Sequence, residues 1–325
     1  MRRRSVISFI CLLAVIAGGW WTVTHRQTIY DWARLYHYQP SSVVSQLVSD
    51  TTMTPDARHI FYVNHPAIQS SSAFNQNCKG QGEQTIVLGC YHGNQLGIYV
   101  YDVTDARLQG VEQVTAAHEM LHAAYDRLSA KDKSYIDGLL QDYYNNDVHD
   151  QRIIDTINAY KKSEPNDVVN EMHSVFGTEI ANLPAPLENY YKRYFTDRSK
   201  VVGYATNYES EFTSRKTAIT NYDAELTQLK SQIDQQEANL KTKGASIDQQ
   251  RAQLQQERNA GNIDAYNAGV ASFNAQVDAY NNEVNSAKAL IDQYNDIVAK
   301  RNAIVLEEQQ LTQALNSQTV PQATQ

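Results

Sequence analysis

A cationic excess is missing from this chain. Its 28 lysines and arginines are outnumbered by 36 acids, giving a formal charge of −8. A nucleic-acid binder would carry a basic patch or stripe, so nucleic acid is not an expected partner. Cysteine is scarce as well. Cys11 lies inside an apolar run, which leaves Cys78 and Cys90 as one even pair, expected to form a disulfide. Phenylalanine is sparse, at 7 beside 21 tyrosines, and asparagine and glutamine crowd the C-terminal half. That bias suits half-wet interfaces better than a dry core. At 325 residues the chain can still build one or two domains with real cores.

One long apolar run is present, from Val6 to Val23, behind Met1-Arg2-Arg3-Arg4. Its length is close to the minimum for a bilayer-spanning helix. The arginines favour a cytoplasmic N-terminus, and Trp20 and Trp21 suit an outer interface. No small-x-small cleavage site ends the run, which argues against a removed signal peptide. The expectation is a single-pass anchor in the cell membrane through residues 6–23, in a segment spanning 1–26. The bulk of the chain would then lie on the extracytoplasmic side.

Residues 24–53 read as a polar, partly helical stalk, with a short amphipathic helix over Ser41 to Val48. Thr54-Pro55-Asp56 has the chemistry of a helix start. Ile60-Phe61-Tyr62-Val63 reads as a short strand. Thr85–Leu88 and Ile98–Tyr101 are stronger strand candidates, joined by turn-like Gly89-Cys90-Tyr91-His92-Gly93-Asn94 into a hairpin. Helices follow at Gly110–Leu128, Ala130–Asn146, Gln151–Lys162 and from Ser163 towards Phe176, the last stopping at Gly177. Pro184 and Pro186 mark a boundary.

Beyond it, Phe212, Ile219, Leu226, Ile233, Leu240, Ile247 and Leu254 recur every seven residues. After Asn259-Ala260-Gly261-Asn262 a second series begins with Val270, Val277, Val284, Ile291, Val298 and Val305. Two heptad series around one glycine-containing turn describe an antiparallel coiled-coil hairpin over 187–316, open to a protein partner. Residues 317–325 read as a disordered tail. The expected fold class is α+β: a small antiparallel β-hairpin on a mainly helical domain over 27–183, followed by that hairpin of helices.

The chemistry concentrates at His118-Glu119-Met120-Leu121-His122. On a helix this spacing sets two imidazoles on one face, able to ligate one tetrahedral Zn²⁺, while Glu119 can take a proton from metal-activated water. The flanks, Val114-Thr115-Ala116-Ala117 and Ala123-Ala124, are uncharged, as for a helix buried beneath a cleft. A catalytic zinc needs a third protein ligand. Glu171, beside Val168, Val169, Met172 and Val175, is a carboxylate in apolar surroundings that a metal would satisfy. His173 and Glu179 are rival ligands, and His173 could instead stabilise an oxyanion. Asp126, one turn beyond His122, could orient a ligand.

Together, Val114 to His122 and Asn170-Glu171 resemble the zincin superfamily of metallopeptidases, in its glutamate-ligand, thermolysin-like branch. The resemblance implies zinc on His118, His122 and Glu171, with Glu119 as general base. It also implies an edge strand, here Ile98–Tyr101, that holds an extended peptide by strand addition. That branch has an aspartate four residues after the ligand glutamate, where this chain has Val175. The expected activity is hydrolysis of peptide bonds in a peptide or protein substrate. The alternative is a coiled-coil scaffold or hydrolase regulator whose metal site is structural or vestigial.

Overall fold

The computed structural model describes residues 13, 15–78 and 86–318. It is 77% helical with one small three-stranded mixed sheet, a mainly helical α+β architecture. The chain divides into two compact units. The first holds residues up to 211 together with those from 311 onward, and the second holds 212–310.

Among the described residues no helix is long and apolar enough to cross a membrane. This overturns the expected single-pass anchor and the localisation built on it. The described helical stretch ahead of His25 covers residues 15–24. It rises about 15 Å, half the hydrocarbon thickness of a bilayer. Residues 6–12 and 14 of the run lie outside the described residues.

The segment expected as a stalk is part of the first unit. Helix α1 (Arg26–Leu35) is held through Asp31, which is buried and accepts from both Arg127 amino groups, at 2.8 and 2.9 Å. Helix α2 (Ser42–Asp50) is capped by Ser41, whose side chain accepts from Val44 N. Thr54 does the same for α3 (Pro55–Val63), with Pro55 in the first turn. The expected strand at Ile60–Val63 is instead the end of α3. Ala57, Ile60, Phe61 and Val63 are buried there, so the apolar run is a helix's inner face.

Strand β1 (Ala67–Gln69) precedes the short α4 (Ser71–Asn77). The first expected strand is shifted. Thr85 lies outside the described residues, and the strand β2 is Gly89–His92, where turn chemistry was expected. Strand β3 (Gly97–Tyr101) pairs antiparallel with β2 and parallel with β1. The order β1-β3-β2 puts Ile98–Tyr101 in the middle, so it is not an edge. Cys78 and Cys90 are joined by a disulfide.

Helix α5 (Val111–Asp126) is the centre of this unit. It packs on α2, α3, β2 and β3, and from Val111 to Tyr125 only Glu112, Gln113 and His118 escape full burial. Helices α6 (Ala130–Asn146), α7 (Gln151–Ser163), α8 (Val168–Glu179) and α9 (Ala185–Tyr191) complete the layer around it.

Gly177 does not stop α8. A Cβ there would sit 2.5 Å from Leu121 Cδ1 and 2.7 Å from Tyr191 Cε1, so glycine is present to let α8 approach α5.

Two long helices follow, α10 (Arg198–Asn259) and α11 (Ile263–Leu315), with Gly261 between them at φ 76°. The start of α10 lies in the first unit, where Val201 and Ala205 join its core. In the second unit Leu229, Ile247, Ala287 and Ile297 are buried. Ile291, expected in the seam, is 40% exposed. Leu290 and Ile297 belong to a parallel heptad row one residue away, and in this stretch Ile297 is buried and Leu290 half-buried. Ser317 is also ordered: it is buried, and its carbonyl accepts from Asn75 Nδ2 at 2.6 Å. Residues 319–325 lie outside the described residues.

Replacing Gly177 by alanine sets two effects against each other. Alanine improves helix propensity by about 1 kcal/mol. Overpacking a closed core costs about 1–3 kcal/mol, and a backbone crossing leaves little room to relax. Gly177→Ala is expected to lower stability in urea unfolding. A midpoint equal to or above wild type would refute the close-approach reading.

Candidate metal centre

Helix α5 places His118 and His122 one turn apart, and their Nε2 atoms converge to 3.0 Å. Helix α8 crosses so that Glu171 faces both: Oε2 is 3.5 Å from His118 Nε2, and Oε1 is 3.4 Å from His122 Nε2. Three donors on a tetrahedral zinc, with bonds of about 2.0–2.1 Å, stand ~3.3 Å apart. The observed separations match that edge. Glu171 is 5% exposed, and its Oε2 is buried without a hydrogen-bond partner. Two imidazoles and one orphaned carboxylate oxygen form the donor set of a catalytic zinc, so the residues present fit the ion.

The two buried glutamates differ in their electrostatics. Burial pushes the Glu119 carboxyl above its ordinary range, against the pull of His122 and His118. Burial raises Glu171 too, but the charges of His122 and His118, with a hydrogen bond from Tyr160, win and hold it low. His118 loses charge affinity to burial, yet Glu171, Glu119 and Glu179 together raise it to about 9. A proton therefore occupies this pocket readily when nothing else positive does.

A cleft opens over these groups. One wall is Ile86 to Tyr91, the strand β2 and the residues leading into it. Gly89 makes this contact possible, since a Cβ there would lie 2.5 Å from Thr115 Cγ2 and 2.6 Å from Glu119 Oε1. The other wall comes from Tyr160, Glu164, Asp167, Asn170 and Glu171, with Glu179 and Tyr208.

The structure brings His118, Glu119, His122 and Glu171 together. It does not bring His173. Two residues from Glu171 on a helix is the opposite face. His173 is fully buried among Tyr125, Tyr190, Tyr191 and Tyr194, with Nε2 2.9 Å from Tyr190 Oη. Burial lowers it to about 3, which keeps it neutral. It is neither a third ligand nor an oxyanion donor in this arrangement. Glu179 lines the cleft, but two turns from Glu171, and it is ion-paired with Arg152. Asp126 does not orient a histidine; it accepts from Tyr91 Oη at 2.8 Å.

Sequence reasoning missed Tyr91, Tyr160 and Tyr208. The tyrosine excess was their one signal, and it carries no position. Compared with protein families, with curated proteins and with solved structures, the chain has no match.

Metal analysis of the purified full chain is expected to find one zinc per chain. His118→Ala and Glu171→Ala should both lose it, while His173→Ala and Glu179→Gln should keep it. Zinc retained in Glu171→Ala would remove the third donor from the site.

Proposed function

We propose that this chain is a zinc-dependent peptidase whose general base is Glu119. The observation that carries the reading is the convergence of His118, His122 and Glu171 beneath a cleft, with a second buried carboxylate beside them that ligates nothing. A structural site would spend its acids as ligands or lack them. Here one glutamate is held low, as a ligand requires, and its neighbour is held high, as a proton acceptor requires.

Zinc held by His118, His122 and Glu171 would supply Lewis acidity for a scissile carbonyl and bring the pKa of water to about 7. Glu119 accepts the proton of the attacking water on Oε and later returns it to the departing amine, so the carboxylate is regenerated. The backbone of Tyr91 hydrogen-bonds Glu119 and fixes its orientation. Tyr160 hydrogen-bonds Glu171 and limits its swing. Strand β2, the edge strand beside α5, takes the role that the sequence assigned to Ile98–Tyr101. With Ile86–Leu88 it offers backbone groups on the cleft side to an extended peptide.

We also read α10 and α11 as an antiparallel hairpin that holds or docks a protein partner. Its support is the numbering of ion-paired residues. Arg215 meets Glu307, Asp223 meets Arg301 and Lys243 meets Glu283, so partners that rise along one helix fall along the other.

Glu119→Gln should keep one zinc per chain and lose about 10²–10⁴-fold in peptide hydrolysis. Full activity in that variant would sink the assignment of the base. Gly89→Ala should bind zinc but cost about 100-fold in kcat, because the new methyl displaces Glu119 or the strand that orients it. A normal kcat with a shifted KM would mean that only the wall had moved.

A further inference from the structure

We propose that the cleft holds a second cation, of the calcium class, bound through oxygen by Glu164, Asp167, Asn170 and Glu171. The chain reverses between α7 and α8 at Glu164-Pro165-Asn166-Asp167, where Asp167 N donates to Glu164 O at 3.0 Å. That turn and the first turn of α8 gather three carboxylates. Ligand atoms of Glu164, Asp167 and Glu171 lie within 4.8 Å of one another. Among the described residues no lysine or arginine lines this cleft. A helix N-terminus tolerates one or two acids, yet the same field would be served without bringing three together.

Asn170 is the independent sign of a ligand. It lines the cleft and is only 7% exposed. Its Nδ2 donates to Asp167 Oδ2 at 3.0 Å, which lays the amide against the acidic group. The other end of that amide, Oδ1, is buried with no hydrogen-bond partner. An unsatisfied buried carbonyl is costly, and a cation between it and the carboxylates removes the cost.

The donors are three carboxylates and an amide carbonyl, with no imidazole or thiolate from this turn. Oxygen-only sets suit hard cations. Calcium accepts irregular geometry and completes its shell with water, whereas magnesium demands a near-ideal octahedron. Asp167 is exposed, so the ion has a way in and water has a way to reach it. Glu171 would be shared with His118 and His122, one carboxylate serving two ions. The inference depends on the peptidase reading only through that shared group.

The test is calcium titration of the full-length chain by calorimetry, zinc-loaded and zinc-stripped, with terbium emission sensitised by Tyr160 as a second probe. One calcium per chain is expected, bound without release of zinc, with a rise in melting temperature. Glu164→Gln with Asp167→Asn should abolish the calcium, the terbium signal and the melting shift while zinc stays bound. If that variant does not fold, Asn170→Ala carries the same expectation. No calcium in wild type, calcium unchanged in the variants, or zinc released one for one as calcium binds would each overturn the proposal. Calcium bound by a chain that takes up no zinc would sink the peptidase and leave the second site standing.

Discussion

The site depends on how closely α8 crosses α5. At Gly177 the two helices approach to a distance that leaves no room for a methyl group between Leu121 and Tyr191. Glu171 stands six residues earlier on the same helix, about 9 Å along its axis. Leu121 stands between the two histidines. The contact that closes the core therefore also sets the separation of the carboxylate from both imidazoles. A helix crossing relaxed by even half an ångström would open those 3.4 and 3.5 Å distances. The geometry of this candidate site is a property of core packing, and the cleft above only gives access to it.

That packing buries charge, and at equal burial the neighbours differentiate the acids. Glu119 and Glu171 are almost equally hidden, at 6% and 5% exposure. Their carboxyls nevertheless move in opposite directions: burial raises Glu119 against the pull of His122 and His118, while at Glu171 His122, His118 and Tyr160 outweigh burial. One residue type thus takes on two electrostatic characters at equal burial. His173 shows the converse. It is as buried as any residue in the chain, but tyrosines surround it and no carboxylate does, so it stays neutral. Its burial among aromatics makes it a core residue, whatever its chemistry would allow elsewhere.

Local chemistry was legible in the sequence and long-range contact was not. The spacing of His118 and His122 and the uncharged run around them located α5 and its burial. Thr54-Pro55-Asp56 located the start of α3. Glu171 was readable as a carboxylate among apolar neighbours. Gly89 and Gly177 misled, because each was read as a chain breaker when its missing Cβ serves a neighbour distant in sequence. Ile98–Tyr101 looked like an edge because β1, at three residues, is too short to leave a pattern. His173 and Glu171 could not be ranked until the direction of the α8 crossing was known. Ile291 and Ile297 belong to alternative heptad rows, and only packing selects between them.

The long helices are built into the first unit at both ends. Arg198, in the first turn of α10, is buried and donates to Ile180 O at 2.6 Å and Ala181 O at 3.0 Å, while Glu188 balances its charge. Arg198 also donates to Phe176 O at 3.4 Å, in the last turn of α8, so a side chain from α10 caps the helix that carries Glu171. Three turns on, Tyr208 reaches the cleft wall. At the far end of α11, Leu311 and Leu315 are buried and Ser317 is clasped by α4 through Ser71 and Asn75. That short helix leads directly to Cys78 and, through the disulfide, to Cys90 in the wall of the cleft. Both ends of the helix pair thus touch elements that position the site, one at Glu171's helix and one at the strand beside Glu119. A spacer would need neither connection. The two ends of the helix pair are therefore structural members of the first unit, and a chain cut before Arg198 would lose the cap on α8 along with both long helices.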